Sequence, residues 1–137
     1  MRKLPESSAK RLLVRWGIPV VEEQVAKTRK ECSRVADKIG YPVVMKISSP
    51  DILHKTDCGC VITNIKDEDE LLSAHERITD NARRYKKDAK INGMLIQEMI
   101  DTNDARELII GAKIDPNFGP IVMFGLGGIM VEVLKDV

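Results

Sequence analysis

Apolar residues recur at helical spacing in three segments of the chain. The first predicted helix covers residues 6–16 and follows Pro5, a residue type favoured at helix starts. Capping pairs, in which a side chain bonds a free amide of the first turn, mark the next two starts: Thr28 with Glu31, and Asp67 with Glu70. The pattern therefore predicts three helices, of which the third is the longest.

The rest of the chain alternates as strands do. The predicted strands cover residues 18–26, 43–47, 61–65, 93–99, 106–114 and 121–124. Phe124–Gly128 is predicted to be a tight glycine turn, and the apolar run from Gly127 to Val137 ends without a cap or a polar tail. We therefore expect a truncated chain of the α+β class, with helices packed on one side of a mixed or antiparallel sheet.

Composition excludes several classes of function. Lys and Arg number 22 against 21 Asp and Glu, for a net charge of +1, so we expect no binding of nucleic acid or of anionic membranes. The longest uncharged stretch, residues 116–131, is interrupted by glycines and Pro120, which predicts no membrane span. Three cysteines and an N-terminus without an apolar signal segment predict a cytoplasmic protein.

Two positions have chemical interest on their own. Lys46 lies in the otherwise apolar strand 43–47, where an ammonium needs an anion or access to solvent. The bland alternative is a lysine that extends to solvent from an edge strand. His54 lies in a loop, residues 48–60, that is longer than most connections, and imidazole can accept a proton or a phosphoryl group. An ordinary solvated loop histidine is the alternative.

The Cys58-Gly59-Cys60 segment invites a metal or redox interpretation. A structural zinc site uses four ligands, usually with two residues between paired cysteines, so we predict no metal here. Gly59 is better suited to bringing backbone N–H groups close to a phosphate. We expect Cys32 to be buried in the core and His75 to be an exposed surface residue.

The strand ending at Gln97, Glu98 and Met99 offers backbone hydrogen-bonding groups and an apolar side chain, which suit a purine ring. Glu107 alternates out of an apolar face and could accept hydrogen bonds from ribose hydroxyls. The first pattern is common at strand ends, and Glu107 taken alone is more typical of an ordinary solvent-facing strand residue. The sequence contains no dinucleotide-binding, P-loop, nucleophile-elbow or zinc-protease motif, which excludes those common templates.

Five segments in order closely resemble the ATP-grasp region of ADP-forming acyl-CoA (acetyl-CoA) synthetases. They read G-Y-P-V-V-M-K-I at 40–47, S-P-D-I-L-H-K-T-D at 49–57, Q-E-M at 97–99, D-P-N-F-G-P at 115–120 and F-G-L-G-G from 124. The resemblance implies an enzyme that interconverts acyl-CoA, phosphate and ADP with an acid, CoA and ATP through a phosphohistidine, as succinyl-CoA synthetase does.

The resemblance also implies one cleft lined by six residues. They are Lys46 at the nucleotide phosphates, His54 as a phosphoryl relay, Gln97, Glu98 and Met99 around adenine, and Glu107 at the ribose. Residues 1–137 would be an ATP-grasp region, with the first subdomain at about 18–100 and an incomplete second one at 101–137. The implied ligands are ATP or ADP with Mg²⁺, whose protein ligands would follow Val137, and the implied partner is a CoA-ligase domain or alpha subunit.

One departure from the family pattern concerns the loop. Family members usually read D-V-G-G-V where this chain has residues 57–61, so Cys60 replaces a glycine. A side chain there is expected to crowd the phosphates or to forbid a positive φ. The alternative function is a catalytically inactive regulatory module, as in fusions with acetyltransferase domains, and we expect the isolated chain to be inactive.

Overall fold

The structure is a computed structural model that describes residues 6–127. Its elements are α1 (Glu6–Arg15), β1 (Glu23–Ala26), α2 (Arg29–Ile39), β2 (Val43–Ser48), β3 (Val61–Ile65), α3 (Glu68–Tyr85), β4 (Gly93–Glu98), β5 (Leu108–Asp115) and β6 (Gly119–Leu126). The chain divides after Ile100 into two compact units. None of the helices in the described part has the length and apolar character that crossing a membrane requires.

The first unit is built on a four-stranded sheet in the order β1-β4-β2-β3. All three strand pairings are antiparallel, so the predicted α+β class is confirmed. Strand β2 lies in the middle, and its Met45 is paired with Ile96 of β4 on one side and with Ile62 of β3 on the other. The first strand is shorter than the predicted 18–26 because only Glu23–Ala26 are paired with β4.

The core lies on one face of this sheet, beneath α2 and α3. Alternate residues of β2 are fully buried there, since neighbouring side chains on a strand point to opposite faces. The buried set shared by the central strands and the two helices includes Val43, Met45, Ile47, Ile96, Cys32, Val35, Leu71 and Ile78. Burial of apolar surface on this face is the main stabilising contribution to the unit.

Both predicted capping pairs are present. The side chain of Thr28 accepts a hydrogen bond from the N–H of Glu31 at 3.2 Å, and that of Asp67 accepts from the N–H of Glu70 at 2.9 Å. The Glu31 and Glu70 carboxylates in turn accept from the backbone N–H just before each cap, at 2.7 and 2.8 Å. These bonds satisfy amides that a helix start leaves free.

The second unit contains a two-stranded antiparallel hairpin, β5 with β6. The predicted glycine turn at 124–128 is wrong for residues 124–126, which continue β6: Phe124 is paired with Ile110 and Leu126 with Leu108. The hairpin turn is instead at Asp115–Gly119, where the Asp115 carboxylate accepts from the next backbone amides and Gly119 has φ +74°. The predicted apolar run after Gly127 and the Pro5 helix start lie outside the described residues.

The Asp67 cap gives the first testable prediction. Asp67→Ala should lower the free energy of unfolding by about 1 kcal/mol, because the Glu70 amide loses its acceptor. Urea denaturation followed by circular dichroism measures the change. Asp80→Ala, in the same helix at an exposed position away from the cap, is the control and should change it by less than about 0.5 kcal/mol. Equal losses in the two variants would contradict the capping role.

Candidate functional site

The sheet face opposite α2 and α3 carries Lys46. This residue is paired with Leu95, and its neighbour Val44 is paired with Gln97, so all four side chains share that face. Val44 and Leu95 are each only 8% exposed. The Lys46 ammonium donates a hydrogen bond to Gln97 Oε1 at 2.8 Å. The structure thus joins two of the predicted site residues, Lys46 and Gln97, at one place on the sheet.

The end of β4 is fixed by the segment that precedes β1. The N–H of Glu98 donates to the carbonyl of Glu22 at 2.8 Å, and the Glu98 carboxylate accepts from the N–H of Glu22 at 3.1 Å. The Glu98 side chain is therefore engaged with backbone. Met99 follows the strand and is half-buried. A ligand at this strand end would meet the main chain of Glu98 and the side chain of Met99.

The loop that carries His54 is firmly anchored at its start. Ile52 is fully buried in the core of the first unit. The Asp51 carboxylate accepts from the N–H of Lys90 at 2.6 Å and lies 3.4 Å from the Lys86 ammonium. The Lys90 amide, helped by the charge of Lys86, holds the pKa of Asp51 below its ordinary 3.8. These contacts join the loop to the segment between α3 and β4.

The loop ends in a Schellman motif, a hydrogen-bonding pattern typical of helix C-termini. The N–H of Cys60 donates to the Lys55 carbonyl at 2.8 Å and that of Gly59 to the Thr56 carbonyl at 3.0 Å. Gly59 has φ +65°, and its own carbonyl accepts from Asn81 Nδ2 at 2.9 Å. Turn geometry thus requires a glycine at position 59. Its N–H is already bonded, and a contact with phosphate remains a prediction.

Between these two anchors the tip of the loop is open. The His54 and Asp57 side chains are 77% and 78% exposed, and His54 Nδ1 lies 3.8 Å from the Asp57 carboxylate. That separation is too long for a hydrogen bond, so the imidazole is available for other partners. The arrangement presents a histidine to solvent from a loop whose two ends are fixed.

Cys60 does not crowd this loop, contrary to the expectation from the sequence. It is fully buried, with its sulfur directed to the carbonyls of Cys58 at 3.7 Å and Ile78 at 3.9 Å. Among the described non-glycine residues only Asn64 has a positive φ, so Cys60 needs no glycine-like conformation. Burial, with a smaller effect of the Cys58 thiol, raises the pKa of Cys60 to about 12. It is a core residue between the loop and α3.

Of the other two residues judged structural, one prediction is confirmed and one is wrong. Cys32 is fully buried, and burial raises its pKa to about 11. His75 is half-buried rather than exposed, because it lies beside the apolar stripe of α3 and close to Arg29, and its Nδ1 is buried without a hydrogen-bond partner. Burial and the charge of Arg29 lower the pKa of His75.

Glu107 belongs to the second unit. Its side chain is exposed just before β5, and its carbonyl accepts from the N–H of Gly127 at 2.8 Å. Its predicted place at a ribose remains a prediction. Among the residues that the structure describes, no three His, Cys, Asp or Glu side chains are grouped to hold a metal ion.

Sequence reasoning overlooked four residues that support the site: Glu22, Asp51, Ile52 and Asn81. A single isoleucine in a polar loop was the available signal for Ile52. The other three act through hydrogen bonds to distant positions and leave no local pattern. A groove lined by β3 and the first half of α3, including Ile62, Asp69 and Arg77, contains none of the candidate residues.

Comparison with known proteins settles the family. A sequence profile described as an ATP-grasp domain matches residues 1–137. The chain belongs to the ATP-grasp family. The resemblance seen in the sequence motifs is therefore confirmed, and the antiparallel sheet with α2 and α3 is the part of this ATP-grasp region that carries Lys46.

Several characterised relatives are ADP-forming CoA ligases. The chain is 52% identical over 132 residues to the beta subunit of acetate–CoA ligase (ADP-forming) II of Pyrococcus furiosus, covering 96% of the chain and 55% of that protein. It is 48% identical over 134 residues to 4-hydroxybutyrate–CoA ligase (ADP-forming) of Nitrosopumilus maritimus, covering 98% and 19%. The ATP-grasp chain thus spans about half the length of the beta subunit.

A solved structure of a related synthetase has a similar fold. Dinucleotide-forming acetyl-coenzyme A synthetase 1 of Ca. Korarchaeum cryptofilum, in complex with coenzyme A, Ca-AMPCP and HgCl⁺, superposes with a TM-score of 0.88 at 44% identity, covering 97% of this chain and 57% of that one. A biotin carboxylase domain at 21% identity and a TM-score of 0.55 shares the fold alone. The ATP-grasp architecture of the chain is therefore common to both.

The burial of Cys60 gives a second prediction. Cys60→Gly should lower the free energy of unfolding by about 1–3 kcal/mol, since it leaves a cavity in the core and frees the backbone. Thr56→Gly adds the same freedom at an exposed loop position and should cost less than about 1 kcal/mol. Both are measured by urea denaturation. A Cys60→Gly protein as stable as the unsubstituted one would contradict the core assignment.

The Asp51 anchor gives a third prediction, for the pH dependence of stability. Its pKa is lower in the folded protein than in the unfolded chain, so its contribution is complete at neutral pH and is lost as the pH falls below about 4. Asp51→Asn should therefore be less stable than the unsubstituted protein at pH 7, and the difference should shrink in acid. Asp88→Asn, in the segment between α3 and β4 that Asp51 contacts, is the control. A difference that does not depend on pH would contradict the assignment.

Proposed function

We propose that this chain is the nucleotide-binding part of an ADP-forming acyl-CoA synthetase of the acetate–CoA ligase type. The observation that carries the proposal is the Lys46 ammonium on the sheet face opposite α2 and α3, next to the end of β4. Similarity to the Pyrococcus beta subunit and to the Korarchaeum synthetase supports it. The whole protein would couple formation or cleavage of an acyl-CoA to ATP or ADP and phosphate.

Lys46 is assigned to the nucleotide phosphates. Lys46 lies beside the nearly buried Val44 and Leu95, and its hydrogen bond to the neutral Gln97 amide leaves its positive charge without a negative partner among the described residues. A phosphate oxygen is a stronger partner, because it adds the attraction between opposite charges to the hydrogen bond. Nucleotide binding would thus exchange a weak partner for a strong one.

The adenine base and the ribose are assigned to two other parts of the chain. Adenine would lie at the end of β4, where Gln97, Glu98 and Met99 supply backbone groups and an apolar side chain. Both the carboxylate and the N–H of Glu98 are bonded to Glu22, so recognition at that residue would use its main-chain carbonyl. Glu107 is proposed for the ribose hydroxyls.

His54 is assigned to phosphoryl transfer. A nitrogen of its exposed imidazole would attack the phosphorus of a phosphohistidine in a CoA-ligase domain or alpha subunit, forming one N–P bond as the other breaks. A terminal oxygen of ADP would then attack that phosphorus, and ATP and free imidazole would result. The fixed loop ends and open tip support this role, since the tip can move without unfolding its base. In one Korarchaeum complex with Mg-AMPPCP, a phosphohistidine segment points towards the nucleotide site.

Magnesium would accompany the nucleotide and balance phosphate charge. No cluster of ligands for it occurs among residues 6–127, so we assign none of them to the metal. We place the protein in the cytoplasm, from its low cysteine content. The alternative of an inactive regulatory module loses its support from Cys60, whose side chain lies in the core.

Titration with ADP tests the assignment of Lys46. Lys46→Met should weaken ADP binding about tenfold or more, because a charged hydrogen bond contributes roughly 1.5–3 kcal/mol. Binding of adenosine should be unchanged, since the lost contact is to phosphate. Lys30→Met, at an exposed position of α2, is the control. Isothermal calorimetry gives the ADP affinities and NMR titration the weaker adenosine ones. Equal ADP affinity in the Lys46→Met protein would overturn the proposal.

A further inference from the structure

We propose that Gln97 is a positioning residue for Lys46: its neutral side-chain amide holds the ammonium on the sheet face opposite α2 and α3 without cancelling its charge. The inference rests on the proposed function, because that function assigns Lys46 to the phosphates. It adds a role for the side chain of Gln97, which the sequence motif associates only with the surroundings of adenine.

The geometry of the sheet places the two side chains together. Lys46 of β2 is paired with Leu95 of β4, and Gln97 lies two residues beyond Leu95 on β4. Lys46 and Gln97 are therefore diagonal neighbours on one face. Their hydrogen bond, Lys46 Nζ to Gln97 Oε1, is 2.8 Å long. Val44 and Leu95, the neighbours of Lys46 on this face, are nearly buried. The hydrogen bond to Gln97 therefore fixes the end of the long lysine side chain.

The next residue across the sheet is acidic and has its own partner. Glu23 of β1 is directly opposite Gln97, which places it on the same face. Its carboxylate forms a largely buried ion pair with Lys10 of α1 at 2.5 Å. Gln97 therefore lies between Glu23, which is directly opposite it and paired with Lys10, and its diagonal neighbour Lys46. Its neutral side chain separates the charge of Glu23 from that of Lys46.

A neutral acceptor at this position has a chemical consequence. A carboxylate at position 97 would form an ion pair with Lys46 and compete with the nucleotide phosphates for it. An apolar side chain of the same length would leave the ammonium without its partner and free to sample other rotamers. The amide orients Lys46, and the ammonium exchanges this hydrogen bond for one to a phosphate oxygen when the nucleotide binds.

Titrations with ADP and adenosine test the inference in the intact protein. Gln97→Glu should weaken ADP binding about tenfold or more, and Gln97→Met about threefold to tenfold. Adenosine affinity should change less than about twofold in both, because the altered contact concerns only the phosphates. Gln24→Glu is the control: it adds the same charge on β1, next to Glu23 but on the other face, and should leave ADP affinity within about twofold.

A second comparison separates positioning from a general structural effect. In a Lys46→Met background, Gln97→Met should alter ADP affinity by less than about twofold, since the residue acts through Lys46. Thermal unfolding of each variant verifies that it is folded. Losses that add in the double variant, or adenosine binding weakened as much as ADP binding, would overturn the inference. So would ADP binding that depends on Lys46 and not on Gln97. A protein that binds no ADP would overturn both this inference and the proposed function.

Discussion

The central position of β2 is the constraint on which the rest of the first unit depends. The strand is hydrogen-bonded on both sides, so the orientation of its backbone is fixed. Alternate side chains therefore point to opposite faces. One face is sealed by α2 and α3 over a fully apolar core. The other face keeps Lys46 in a fixed place beside Gln97. A charged group is held there because the opposite side of the same strand is buried.

The loop of His54 combines two fixed ends with an exposed tip, an arrangement that suits the proposed phosphoryl relay. Its base is fixed by the buried side chains of Ile52 and Cys60 and by the Asp51 carboxylate. Gly59 closes the final turn and is itself held by Asn81. The tip around His54 is exposed and lies between these fixed ends. Helix α3, which packs against the strand of Lys46, therefore also supports this loop.

Local patterns predicted much of this arrangement. The caps at Thr28 and Asp67 and the alternation in β2 involve neighbours in sequence, so they could be read directly. The contacts that were missed join distant positions: Glu22 with Glu98, 76 residues apart, and Asp51 with Lys90, 39 residues apart. They depend on strand register and chain path, which sequence periodicity does not fix. Cys60 was misjudged because a family pattern of glycine was taken to mean exposure to phosphate, whereas the residue here packs inward.

Amide chemical shifts of the ¹⁵N-labelled chain, recorded during a titration with Mg-ADP, test the central claim most directly. The account predicts that the largest changes occur at Lys46, at the end of β4 from Gln97 to Met99, and in the loop tip around His54. Changes confined to the groove between β3 and α3, at Ile62, Asp69 and Arg77, would contradict it.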